Sequence, residues 1–154
     1  MPVVVGFVPT PEGRAALRRA VLECHLRDTD LIIVNSEHKS AGPADPYPSA
    51  AEVRAICAEL DVAEPNVRIR LNQDAYEPAD DVLSVAQEAD ADLIVIGLRR
   101  RTSVGKLILG GSAQRILLDA SCPVLAVKVD GLTGWQSEPL NARGSVSGAG
   151  DPAG

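Results

Sequence analysis

The sequence is poor in features that several common functions require. Aromatic residues make up only 3% of its 154 residues, so stacking platforms that bind single-stranded nucleic acid are not expected. A formal net charge of −6 argues against general nucleic-acid binding, because phosphate backbones need clustered cations. No apolar run approaches the ~20 residues that cross a bilayer, and no basic leader precedes the first short apolar run. These absences predict a cytoplasmic protein with neither nucleic-acid nor membrane partners.

Cysteine, histidine and catalytic motifs are equally scarce. Cys24, Cys57 and Cys122 are an odd number without a C-x-x-C pair, so we expect reduced thiols and no disulfide. His25 and His38 lie in no cluster with metal-ligand spacing. The chain has no G-x-S-x-G, no P-loop and no G-x-G-x-x-G motif. With no nucleophile beside a base, the sequence predicts a protein that is not an enzyme.

Apolar runs and helical periodicity alternate along the first 130 residues. Short apolar runs predict strands at 3–8, 30–35, 67–71, 93–96 and 124–129, and helical spacing follows each of the first four. Four strand–helix units and a last strand predict a parallel α/β sheet with right-handed crossovers. Beyond this domain of residues 1–130, Gly, Ser, Ala and Pro dominate residues 131–154, which predicts a flexible tail.

The predicted sheet places its ligand-binding side at one edge. Parallel α/β sheets bind ligands beyond the carboxyl ends of their strands, where the strand order reverses. The residues expected there end or follow the first, second and fourth strands: Val8, Pro9, Thr10, Val34, Ile96 and Gly97.

A glycine-punctuated basic loop and a helix follow the fourth strand. The helix is predicted to begin at Gly110 and Gly111, with Ser112 beside them, and its apolar stripe contains Ile116 and Leu117. Unpaired N–H groups at a helix start carry partial positive charge, so they can hold a phosphate. The loop adds three cations whose forked guanidinium groups suit phosphate oxygens: Arg99, Arg100 and Arg101.

Residues 92–128 resemble the universal stress protein family. Gly97 and Gly110 match the first and third glycines of the family's G-x2-G-x9-G-[ST] pattern, and Cys-Pro-Val at 122–124 is typical of its last strand. The resemblance covers about residues 2–129. It implies a Rossmann-like, adenine-nucleotide alpha-hydrolase-like fold: a five-stranded parallel sheet in the order 3-2-1-4-5, with helices on both faces.

Three positions depart from the family pattern. Arg100 replaces the second glycine, Gly111 replaces the Ser/Thr that follows the third, and Val8 stands near an Asp that often faces the nucleoside. Arginine cannot adopt every backbone conformation open to glycine, so side chains of the basic loop would replace backbone contacts. The alternative is that Gly97 and Gly110 are turn glycines and the Arg run is a solvated surface loop.

The resemblance implies binding of ATP or AMP, with Mg²⁺ a possible companion of ATP, and a homodimer formed through strand 124–129. The expected role is a small stress-response regulator whose protein partner the sequence does not identify. The alternative is a universal stress protein that binds no nucleotide and acts as a dimeric interaction module. A slow ATP hydrolase ranks last, because the loop region offers no evident general base or metal carboxylate.

Overall fold

A computed structural model describes residues 1–35, 50–71, 77–98 and 109–129 of the chain. Its strands and helices alternate, and none of the described helices is long and apolar enough to cross a membrane. The elements are β1 (Val3–Phe7), α1 (Pro11–Arg27), β2 (Leu31–Asn35), α2 (Ala50–Leu60), β3 (Val67–Leu71), α3 (Pro78–Glu88), β4 (Leu93–Leu98), α4 (Gly111–Asp119) and β5 (Val124–Lys128).

The five strands form one parallel sheet in the order β3-β2-β1-β4-β5. This confirms the predicted topology. The strand order reverses beside β1, whose neighbours are β2 and β4. The carboxyl ends of these three strands therefore meet at the sheet edge where parallel α/β proteins hold their ligands. Among the described residues, β3 and β5 are the outer strands.

Side chains of the sheet alternate between two apolar cores. One core joins Val5 and Val95 to α1 and to Val53 and Cys57 of α2. The other joins Val4 and Ile94 to α3 and α4. Both faces of the central strands are covered, which explains why their sequences are continuous apolar runs.

The structure corrects two details of the sequence analysis. The first strand ends at Phe7, so Val8 already belongs to the turn that leads into α1. In α4, Ile116 is buried as expected, but Leu117 is 39% exposed. Each helical residue turns about 100° from the one before, which moves Leu117 to the flank of the helix. The predicted tail, residues 131–154, lies outside the described residues.

Candidate functional site

The turn after β1 brings Val8, Pro9 and Thr10 to the carboxyl edge of the sheet. All three are half-buried. The Thr10 backbone N–H donates to the carbonyl oxygen of Val8 at 2.8 Å, and the Thr10 hydroxyl oxygen accepts from the Gly13 N–H at 3.2 Å. Thr10 is therefore the N-cap of α1, and its hydrogen bonds order the turn beside the predicted ligand position.

Gly97 lies inside β4, where it pairs with Val127 of β5. A Cβ added to Gly97 would lie 2.7 Å from the carbonyl carbon of Glu12 and 3.0 Å from its Cβ. The first turn of α1 therefore requires glycine at this position, whether or not a ligand also contacts it. Gly97 is therefore not a turn glycine: it lies inside a strand, where close packing against α1 excludes a side chain.

Val34 and Ile96 lie in the core beneath the site. Val34 is fully buried and Ile96 is 5% exposed, and both pack in the cluster that includes α3 and α4. Both residues belong to strands that end at this edge of the sheet. Their contact with a ligand stays a prediction.

Within the described residues, the start of α4 is only partly covered. Gly110 is the N-cap and supplies no side-chain cap. Gln114 is the residue whose N–H bonds back to the Gly110 carbonyl oxygen, at 3.0 Å. In a helix that begins in this way, the N–H groups of Gly111, Ser112 and Ala113 have no intrahelical acceptor. A Cβ placed on either Gly110 or Gly111 would meet no described heavy atom within 4 Å.

The charge at this helix start differs from that of the other described helices. The first turns of α1 and α2 contain Glu12 and Glu52, and that of α3 contains Asp80 and Asp81. The first turn of α4 contains no acidic residue. The positive end of the α4 dipole is therefore not neutralised by its own first turn, which favours an anion there.

Contacts with α3 hold α4 in place. Arg115 of α4 forms an ion pair with Asp80 at 2.7 Å. Asp81, the next residue of α3, is only 2% exposed. The sequence carries no signal for this burial, because acidic residues in a first turn indicate only a helix start. The packing of α3 against the sheet produces the burial of Asp81.

The predicted basic loop, with Arg99, Arg100, Arg101 and also Lys106, lies outside the described residues. Its role therefore stays a prediction. The described part of the site combines three sequence-predicted groups at one edge: the Val8–Thr10 turn, the backbone of Gly97, and the start of α4.

The described thiols are poor nucleophiles. Burial, helped by the nearby Asp30 charge, raises the pKa of Cys24 from 9.0 to about 12. Burial also raises the pKa of Cys57 and of Cys122. Neutral thiols attack weakly. Within the described segments, no group of three or more His, Cys, Asp or Glu side chains is placed to hold a metal ion.

Fold and site together define a Rossmann-like α/β protein with an open helix start at the carboxyl edge of its sheet. The chain belongs to the universal stress protein family, whose family profile matches residues 1–128. A universal stress protein of Mycolicibacterium smegmatis is 40% identical over 131 residues, which cover 84% of this chain and 98% of the relative.

Solved structures show the same fold. A universal stress protein from Archaeoglobus fulgidus is 29% identical, with a TM-score of 0.62 over 83% of this chain and 98% of the other. A universal stress protein in complex with cAMP is 22% identical, with a TM-score of 0.59 and coverage of 84% and 98%. An A. fulgidus protein in complex with dAMP is 24% identical, with a TM-score of 0.57 and coverage of 83% and 98%.

Proposed function

We propose that this protein binds an adenine nucleotide, ATP or AMP, at the carboxyl edge of its sheet. The observation that carries the proposal is the start of α4. It follows the central strand β4, has no side-chain cap, and has no acidic residue in its first turn. The N–H groups of Gly111, Ser112 and Ala113 would hold the phosphate oxygens. The Val8–Thr10 turn would border the nucleoside.

Two observations from relatives support adenine as the base. Structural neighbours of the same family have been solved with cAMP and with dAMP. Both ligands join an adenine nucleoside to a phosphate, and in this proposal the two parts would lie against the turn beside β1 and the helix start after β4. The predicted cations Arg99, Arg100 and Arg101 would strengthen the phosphate contacts, and Mg²⁺ would accompany ATP.

The role proposed for the bound nucleotide is regulatory, in the cytoplasm. The described part of the site supplies backbone N–H groups and the Thr10 hydroxyl, which bind a ligand but are not a general base. Phosphoryl transfer would require a group that orients the attacking nucleophile and neutralises the developing charge. We therefore propose a nucleotide-responsive regulator whose bound state is read by another protein.

Calorimetric titration with ATP, AMP and adenosine tests the proposal. We expect ATP and AMP to bind in the micromolar range, and adenosine more weakly because it lacks the phosphate. Gly110→Val is the test variant: Gly110 has φ −64° and ψ 159°, which valine adopts readily, yet its side chain would project into the open space at the helix start. Unchanged ATP affinity in this variant would place the phosphates elsewhere.

A second function, a dimeric interaction module, is favoured by the outer strand β5. The first four residues of β5 are only half-buried, and the strand pairs with β4 alone among the described elements. By contrast, the opposite outer strand carries Arg68 and Arg70, whose charges oppose strand addition. An apolar edge with free backbone groups favours pairing with a second copy about a two-fold axis.

The flank of α4 extends this apolar surface. Arg115 binds Asp80 of α3, and about 100° per residue places Leu117 on the side of α4 away from α3. Leu117 is 39% exposed. A homodimer formed through residues 124–129 would cover Leu117 together with the edge of β5.

The hydrogen-bond register of β5 identifies the best variant for testing the dimer. Ile94 donates its N–H to the Pro123 carbonyl oxygen and is the partner of Val124. The backbone N–H and C=O groups of alternate residues point to opposite edges of a strand in a parallel ladder, so those of Val127 bond with β4 and those of Ala126 point outward. We expect Ala126→Pro to be monomeric on a sizing column, while Val127→Pro breaks the sheet itself. A wild-type monomer at micromolar concentration would contradict the dimer.

A further inference from the structure

The first turn of α1 fits tightly against β1 and β4 at two glycines. A Cβ on Gly13 would lie 2.8 Å from the carbonyl carbon of Val8 and 2.9 Å from its nitrogen. A Cβ on Gly97 would lie 2.7 Å from the carbonyl carbon of Glu12. In both cases the obstructing atoms belong to the backbone, which cannot move aside as a flexible side chain can. Glycine at these two positions therefore fixes how closely α1 approaches the sheet.

This approach sets the position of the turn that precedes the helix. Thr10 is tied to Val8 by its N–H and to Gly13 by its hydroxyl oxygen, so the turn moves with the first turn of α1. The Thr10 hydroxyl uses its oxygen as an acceptor for the Gly13 N–H, which leaves its proton free to donate. That proton is available to an acceptor atom on the nucleoside.

The glycines at the start of α4 differ from Gly97. Gly110 and Gly111 have open space where a Cβ would be, as judged from the described residues. None of the described residues requires glycine there, and none of them would block a ligand from the backbone of these two residues. The two glycines that match the family pattern, Gly97 and Gly110, thus have different surroundings.

We propose that Gly97 acts on the nucleotide site through α1: with Gly13, it is a positioning residue that holds the Val8–Thr10 turn against the nucleoside, whereas Gly110 and Gly111 admit the phosphates. The proposal rests on the nucleotide-binding function proposed above. It divides the site into a nucleoside half that depends on α1 packing and a phosphate half that depends on the start of α4.

Two probes separate these halves: ATP and inorganic triphosphate, each titrated calorimetrically into the full chain. In Gly97→Ala the displaced turn should weaken ATP binding at least about tenfold, equivalent to one or two hydrogen bonds. Triphosphate affinity should stay within about twofold, because its site on α4 is unchanged. A general loss of structure would weaken the binding of ATP and of triphosphate alike. The ratio of the two affinities therefore reports the position of the turn and not the stability of the protein.

Gly6→Ala is the matched control. Gly6 lies on the opposite face of β1, and its added Cβ would meet the Val82 side chain at 3.3 Å and the Ile96 side chain at 3.8 Å. The Gly6→Ala substitution adds a methyl group to the same sheet without contacting α1. We expect the ratio of ATP to triphosphate affinity in this variant to equal that of the wild type.

Thr10 supplies a second variant pair in case Gly97→Ala does not fold. Thr10→Ala should lose ATP affinity selectively, and Thr10→Ser should restore it because serine keeps both the cap and the donor. If Gly97→Ala or Thr10→Ala lowered the affinities for ATP and for triphosphate by the same factor, the positioning role would be overturned and the proposed function would remain intact. Failure of the wild type to bind either probe would overturn the proposed function, and the positioning role with it.

Discussion

Gly111→Asp should make the protein more stable and a weaker nucleotide binder. Gly111 is the first residue of α4 and is exposed, and no described heavy atom lies within 4 Å of its Cβ position. A carboxylate there would face the positive end of the helix dipole, as Glu12 does in α1. The same carboxylate would occupy the position that we assign to a phosphate. Stability and affinity should therefore change in opposite directions.

The expected magnitudes follow from the exposure of this residue. An acid in the first turn of an exposed helix contributes about 0.3–1 kcal/mol, and replacing glycine in a helix adds a fraction of its propensity cost of about 1 kcal/mol. Two unit charges 4 Å apart repel by about 1 kcal/mol in bulk water and about 4 kcal/mol near a protein surface. Because the site is open, we expect a loss of about 1–2 kcal/mol, or about 5–30-fold in affinity.

Gly111→Asn is the control, because asparagine has the same shape without the charge. The midpoint of urea unfolding measures stability, and calorimetry at low ionic strength measures ATP affinity. We expect Gly111→Asp to bind ATP more weakly than Gly111→Asn by the factor above, with the difference shrinking as salt is added. Equal ATP affinities in the two variants would refute the placement of phosphate at the start of α4.

Three further predictions concern stability. Ile116 is the one side chain of α4 that is fully within the core, so Ile116→Ala should cost about 2–5 kcal/mol in urea unfolding, whereas Leu118→Ala, at 75% exposure in the monomer, should cost little at concentrations where the protein is monomeric. The pKa of Cys24 is about 12 in the folded protein against 9.0 for a free thiol, so the unfolded state loses this proton first as the pH rises. The contribution of the thiol to the free energy of unfolding is complete below pH 9 and falls by about 1.4 kcal/mol per pH unit from there to pH 12. This pH dependence should be absent from the unfolding curves of Cys24→Ala. Thr10→Ala should lower the unfolding free energy by about 1 kcal/mol through loss of the α1 cap, with most of it restored in Thr10→Ser.

Much of the fold could be predicted from local patterns. The apolar run at β4 is buried as predicted, and the start of α1 has an equally local cause in its Thr10 cap, Pro11 and Glu12. The strand order came from the family resemblance, because apolar periodicity alone does not define which strands are neighbours. Leu117 shows where periodicity fails: the number of faces that α4 buries depends on α3 and β5, and the sequence of α4 does not contain that information.

The site was harder to predict than the fold. The motif identified Gly97, but its packing reason depends on Glu12, 85 positions earlier in the chain. Val34 and Ile96 were placed on strands that end at this edge, and the structure adds that both pack in the core with α3 and α4. The face on which a strand residue packs is set by register, because a shift of one residue reverses it. The burial of Asp81 likewise follows from tertiary packing, since its neighbours predict only a helix start.

The most direct test of the account is a backbone amide spectrum of the ¹⁵N-labelled protein recorded during titration with ATP. We predict that the signals of Gly111, Ser112 and Ala113 shift together and saturate at one equivalent of ATP. The signal of Thr10 should shift at the same ratio by a smaller amount, while those of the distant strand β3 stay in place. Signals that do not move at millimolar ATP, or that move only away from the start of α4, would contradict nucleotide binding at this site.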